Sequence, residues 1–184
     1  MKLWKKIMLI GCALLLSVGT VFASPEAPTD EEVTAAYNNA VKYYNWFDHH
    51  SLPTNGASKK AFGFMIYYNV DYPGIKTMAD LRRTLNTVFT PEMANMMIGS
   101  SKNYREFNGI LYVAPADRGN NVFAGNTTFS INRQAPDKIV LTAKTEMYDN
   151  PNHAKGKIAS YTTKDFLYAK TANGWRFATF ASVK

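Results

Sequence analysis

The residues with most chemical potential are few. Asp48-His49-His50 is one cluster, and His153, the third histidine, stands in a separate polar turn. Neighbouring residues at a helix end or in a strand point in different directions, so two adjacent histidines rarely reach one metal. A zinc site needs three or four converging ligands. The expectation is therefore a solvated helix-end loop and no metal. No serine lies in a G-x-S-x-G elbow, which nucleophilic hydrolysis would favour. The acids sit at helix starts (Asp30, Glu31, Glu32, Asp80, Glu92) or in turns (Asp137, Asp149), where structure alone accounts for them. Paired carboxylates for glycoside hydrolysis therefore have no special support. Gly63, Gly74 and Gly99 form no phosphate-cradling pattern. The expectation is a chain without catalytic residues, cofactor or enzymatic activity.

Binding is easier to place. Asp117-Arg118-Gly119-Asn120-Asn121 is too long and polar for a tight turn. It reads as a protruding loop in which Arg118 holds a carboxylate and Asn120 and Asn121 pair with amide groups. Tyr67, Tyr68, Tyr104 and Tyr112 are candidates for an aromatic recognition surface beside it, though such residues more often half-bury in a sheet.

The single cysteine, Cys12, falls within residues 1–23, which read as a secretory signal peptide. Lys2, Lys5 and Lys6 form a positive start, an apolar run follows from Ile7, and Val21-Phe22-Ala23 supplies the cleavage site. Cleavage after about Ala23 leaves an exported or cell-envelope protein with no thiol, no disulfide and no stable membrane span. An uncleaved anchor is a weaker alternative, because the run is at the lower limit for crossing a bilayer. Leu9-Ile10-Gly11-Cys12 resembles a lipobox, but Ala13-Leu14-Leu15-Leu16 continues the apolar run past it, which argues against a lipoprotein at Cys12. The chain of 184 residues carries a formal charge of +7. Three lysines and no acids leave with residues 1–23, so +4 remains. The remaining cations are scattered, which removes most support for a nucleic-acid partner.

Residues 24–184 form one domain, entered through a flexible leader at 24–29. Thr29 and Glu32 have capping-box spacing. Val33, Ala36, Tyr37, Ala40, Val41, Tyr44 and Phe47 then make an apolar stripe at helical spacing, ending near Trp46-Phe47. Asp48 to Ser58 reads as loop and Ala61 to Val70 as one strand. Thr77 and Asp80 cap a second helix carrying Leu81, Leu85, Val88 and Phe89. Thr90-Pro91 opens a third, Glu92 to Ile98, that stops at Gly99. The period then becomes two. Tyr104–Phe107 and Ile110–Val113 flank Asn108-Gly109, a strong hairpin signal. Phe123–Arg133, Lys138–Tyr148, Ile158–Ala169 and Trp175–Ser182 supply further strands. The predicted class is α+β: N-terminal helices packed on a curved antiparallel sheet of about five to six strands.

Several of these features resemble the IseA family. They are the Thr77-capped helix, Phe89-Thr90-Pro91 with its short helix, and the hairpin over Asn108-Gly109 with Leu111-Tyr112. Ala116-Asp117-Arg118-Gly119 and the ending Gly174-Trp175-Arg176-Phe177 with Phe180 complete the set. The resemblance spans roughly residues 61–182. Those proteins are exported bacterial inhibitors of cell-wall D,L-endopeptidases of the NlpC/P60 type, and they block the enzyme's cleft without doing chemistry. The resemblance implies a cell-wall endopeptidase as partner and the Asp117–Asn121 loop as contact. Arg118 departs from the family pattern, which has a small residue or glycine there. The Gly-Trp ending is also similar to NTF2-like and cystatin-like domains. An NTF2-like ligand-binding domain is thus the alternative, with a pocket between helix 1 and the sheet lined by Tyr37, Tyr44 and Phe64. An enzyme of that type would need an Asp–His pair converging there, which the helix-end position of Asp48, His49 and His50 makes unexpected.

Overall fold

A computed structural model describes residues 27–183. The expected signal peptide at 1–23, its cleavage site, Cys12 and leader residues 24–26 lie outside the described residues. Among the described residues no helix is long and apolar enough to cross a membrane.

Helix α1 spans Asp30–Asp48. The Thr29 hydroxyl accepts the Glu32 N–H at 3.2 Å, and the Glu32 carboxylate accepts the Thr29 N–H at 2.8 Å. The capping box is therefore complete, with three acids at the positive end of the helix dipole. Helix α2 (Met78–Leu85) begins at its predicted Thr77–Asp80 box. It ends sooner than expected, and Val88 and Phe89 are buried in the turn that follows. That turn is held to the end of the chain's last strand, where the Phe177 N–H donates to Val88 O and the Thr90 N–H to Phe177 O. Helix α3 (Pro91–Ser100) has Thr90 as cap and runs through Gly99 instead of stopping there.

Among the described residues, eight strands make two antiparallel sheets. Strands β1 (Thr54–Phe62), β2 (Met65–Val70), β3 (Tyr104–Phe107) and β4 (Ile110–Val113) form the first, in the order β1-β2-β4-β3. Strands β5 (Ala124–Ala135), β6 (Lys138–Tyr148), β7 (Ile158–Thr171) and β8 (Gly174–Phe177) form the second as a meander. The α+β class is as expected, but the single sheet is divided. The segment between β4 and β5 carries the chain from one sheet to the other outside both ladders, pairing only at an isolated bridge between Asp117 and His50.

The first sheet also contains a hairpin where a loop and one strand were expected. The chain reverses at Gly63, whose φ of 59° suits a residue without Cβ. Strand β1 is an exposed edge strand rich in polar residues, so it has no apolar alternation to reveal it. The Asn108-Gly109 turn forms as predicted, with φ of 51° and 74°. Strand β8 stops at Phe177, short of the expected Ser182. Leu167 O accepts the Ala178 N–H, and the Leu167 N–H donates to Thr179 Oγ1. The chain then leaves the sheet to bury Phe180.

One main core joins both sheets and all three helices. Helix α1 serves both sheets. Toward its start, the Tyr37 ring lies 4.9 Å from Phe129 and 5.4 Å from Phe166 of the second sheet. Toward its end, Phe47 lies 5.0 Å from Tyr104 of the first. Phe180 fills the middle, within 4.8–5.5 Å of Phe166, Phe177, Tyr44, Phe89 and Tyr37. Burial of such a side chain contributes about 2 kcal/mol.

Candidate functional site

The link between β4 and β5 lies against the C-terminal end of α1. The Ser51 N–H donates to Ala116 O at 3.0 Å, and the Arg118 N–H donates to His49 O at 2.7 Å. An isolated antiparallel bridge joins His50 to Asp117. The Arg118 guanidinium holds a carboxylate, as its type suggested, but the carboxylate is Asp48, at 2.6 Å. Farther along, the Ala124 N–H donates to Asn121 O and the Phe123 N–H to Asn121 Oδ1. The far end is held by Val122 O, 2.8 Å from His153 Nε2, with the His153 ring stacked on Tyr148. The expected loop residues Asp117, Arg118, Gly119, Asn120 and Asn121 are all exposed, followed by Val122 at 59% and Phe123 at 40% exposure.

Tyr104 and Tyr112 do not join them on the surface. Tyr104 is buried, and its hydroxyl donates to Trp46 O at 2.8 Å while accepting the Leu52 N–H at 3.0 Å. Burial holds that hydroxyl well above the ordinary tyrosine range, so it remains a proton donor. Tyr112 belongs to a small separate cluster with Tyr67 and Ala114, its hydroxyl 3.0 Å from Ser58 Oγ. Tyr67 is buried too, donating to Lys102 O. These rings pack the first sheet, because alternate residues on a sheet share a face whether or not a partner ever meets it.

Behind the loop lies a cavity of about 520 Å³, bounded by α1, the start of β5 and residues 180–183. Tyr37 and Tyr44 line it, as the ligand-binding alternative expected, whereas Phe64 projects fully exposed from the β1–β2 turn. Asn38, Asn45, Asn126 and the loop's own Asn120 supply amides to the wall. Burial pushes the Tyr37 hydroxyl up to about 12. It also raises Tyr44, reinforced by Asp48 and opposed by Arg118. Both hydroxyls are thus neutral donors near neutral pH. An adjoining depression of about 390 Å³ is bordered by Asp48, Arg118, Asn121 and Lys164.

His49 departs most from expectation. Its side chain is only 11% exposed, not solvated, and it lines the cavity. Nδ1 lies 3.1 Å from Arg118 O, and Nε2 lies 3.3 Å from Asp48 Oδ2 and 3.4 Å from Ser182 Oγ. Asp48 and His49 are thus in contact, but only His49 lines the cavity, while Asp48 borders the adjoining depression, so the pair does not converge in the cavity. A carbonyl and a carboxylate both only accept, so Nδ1 donates in the bond to Arg118 O, and Nε2 can bond Asp48 only by donating as well. A serine–histidine–aspartate relay needs hydroxyl and carboxylate on opposite ring nitrogens. Here both face the same one, so the arrangement ties the loop down without forming a relay. No sequence signal could place Ser182 beside His49, since the two lie 133 residues apart. Among the described residues no group of three or more His, Cys, Asp or Glu side chains could hold a metal ion.

Neither a protein-family model nor a curated protein sequence matches this chain.

Proposed function

We propose that this chain is an exported, non-catalytic inhibitor that blocks a cell-wall D,L-endopeptidase through the loop at residues 117–123. The observation that carries this reading is an exposed loop fastened from behind. Backbone bonds to His49 and Ser51, the Asp48–Arg118 ion pair and the His153 contact fix its path, while Asn120, Asn121, Val122 and Phe123 stay exposed. A loop ordered before binding avoids an ordering cost of about 0.5–1.5 kcal/mol per immobilised side chain. That suits a protein that must occupy a cleft without being turned over. The resemblance to IseA-type inhibitors supports the choice of target.

The test adds the protein, as the cell processes it, to a cell-wall D,L-endopeptidase acting on purified walls, and follows turbidity. Slower lysis is expected, with an Asn120→Ala/Val122→Asp variant restoring the rate. Unchanged lysis at molar excess over the enzyme removes the reading for that enzyme.

One observation favours a second reading, a small-ligand-binding domain of the cell envelope. It is the cavity behind the loop, which is of ordinary ligand-site size. Saturable binding of any small molecule that perturbs Tyr37 and Tyr44 would support it.

A further inference from the structure

We propose that the cavity is a binding site for a neutral saccharide of one or two rings. This rests on the reading that the cavity takes a small ligand at all.

The chemistry of the wall selects the class. Among the described residues no lysine, arginine, aspartate or glutamate lines the cavity, and His49 is the one residue of its wall that can carry a positive charge. Asp48 and Arg118, which border the adjoining depression, pair with each other at 2.6 Å. A cationic ligand would lose its hydration without finding a countercharge in this wall, and an anionic one would find only His49, already bonded to Arg118 O and beside Asp48. A purely apolar ligand fares no better. The side-chain amides of Asn38, Asn45, Asn120 and Asn126 make no hydrogen bond to another described residue, and neither do the hydroxyls of Tyr37 and Tyr44. Stripping water from such groups without replacing the bonds costs about 1–3 kcal/mol each.

A saccharide meets both conditions. Each amide offers two donors and an acceptor within one planar group. Each sugar hydroxyl likewise donates and accepts, so adjacent hydroxyls can pair with one amide. The remaining wall is apolar, from Val41, Phe129, Phe180 and Val183. Phe129 keeps 39% of its surface exposed on the edge strand β5, leaving part of its ring for the C–H face of a pyranose. The volume of about 520 Å³ lies within the usual range for small ligands. Asn120 comes from the exposed loop, so an occupied cavity also touches the proposed inhibitory surface from behind.

The test is a set of NMR titrations of the 15N-labelled protein, read at the asparagine side-chain amides and assigned by single Asn→Asp variants. The probes are N,N′-diacetylchitobiose and cellobiose as sugars, a capped alanine dipeptide as a neutral peptide, and anilinonaphthalene sulfonate as an apolar anion. Saturable shifts of the Asn38, Asn45, Asn120 and Asn126 amides with at least one sugar are expected. Asn38→Ala and Asn126→Ala should each weaken that affinity roughly tenfold while the dispersed backbone spectrum shows the fold intact. If only the dipeptide or the dye shifts cavity resonances, the saccharide assignment is overturned and the ligand-binding reading stands. If no probe moves them at millimolar excess, both fall.

Discussion

Replacing Tyr104 by phenylalanine removes one oxygen and leaves two buried backbone groups without a partner. Trp46 O is one of the last four carbonyls of α1, which have no intrahelical donor, and the Tyr104 hydroxyl supplies one at 2.8 Å. The Leu52 N–H, in the link after the helix, donates to the same oxygen at 3.0 Å. Trp46 is 4% and Leu52 1% exposed, so water does not readily take over. Each unsatisfied group costs about 1–3 kcal/mol, giving about 2–6 kcal/mol for the pair. The ring survives, and with it the 5.0 Å contact to Phe47, so little packing is lost. Against a total stability of about 5–15 kcal/mol this is a large fraction. At about 2–4 °C per kcal/mol for a domain of this size, the melting temperature should fall by roughly 4–24 °C. Urea unfolding followed by circular dichroism measures the loss directly, provided the m-value is unchanged. The pH dependence adds a second readout. The folded hydroxyl titrates above its ordinary value near 10, so its stabilisation is complete below about pH 10 and is lost as pH rises beyond it. The variant should lose less stability there than the parent. A change in stability below about 0.5 kcal/mol at neutral pH would refute the reasoning. So would a loss of inhibition with stability intact, because that would mean the hydroxyl meets the partner.

Asp80→Asn should flatten the acid limb of the stability curve. The Asp80 carboxyl is held down at about 2, first by the Thr77 side chain, then by the Lys76 N–H, with Arg83 and the Thr77 N–H adding to it. A depressed carboxyl stabilises fully above its ordinary value near 4 and loses that contribution as pH falls toward about 2. Urea midpoints measured across that window should slope in the parent and not in the variant. Arg118→Ala should cost at most about 1 kcal/mol, because the Arg118 side chain is 54% exposed. The same change should weaken inhibition several-fold, since it frees the loop from Asp48; comparing urea midpoints with inhibition curves separates the two effects. Gly125→Ala would place a Cβ 2.5 Å from Tyr148 Cε2 and 3.0 Å from Glu146 Oε2. Tyr148 must then move, so a loss of about 1–3 kcal/mol is expected, together with a shifted His153 ring resonance in NMR.

Local chemistry made much of the fold legible. Thr29–Glu32, Thr77–Asp80 and Thr90-Pro91 start helices because the bonds involved close within four residues. Asn108-Gly109 turns a hairpin for the same reason. The β1–β2 hairpin was hidden because its turn glycine sits between Phe62 and Phe64, not between turn-forming residues, and because the exposed polar edge Asn55–Lys60 shows no alternation. Division into two sheets is a matter of long-range pairing, on which strand patterns are silent. The extent of the last strand was overestimated because Trp175 to Phe180 reads as one aromatic run, while Phe180 is needed in the core. For the site, composition pointed to the 117–121 loop but not to what fastens it. The Asp48–Arg118 pair spans 70 residues, and the cavity is enclosed by three segments far apart in the chain. Tyr104 and Tyr112 were attractive as surface aromatics because residue type alone does not tell which sheet face is covered.

Phe180 follows every strand in chain order yet sits among rings from α1, β7, β8 and the turn before α3. A chain made from its N-terminus can pair β5 with β6 and β6 with β7 long before that ring emerges. Until then, Phe166, Phe177 and Phe89 surround an unfilled gap, and α1 is held over the second sheet by Tyr37 without the ring that joins Tyr37 and Tyr44 to Phe89. Phe180 therefore closes the core as a plug and not as part of a paired strand. Shortening the chain before residue 180 should leave a state rich in strands but loose inside, the kind of intermediate that holdase chaperones retain.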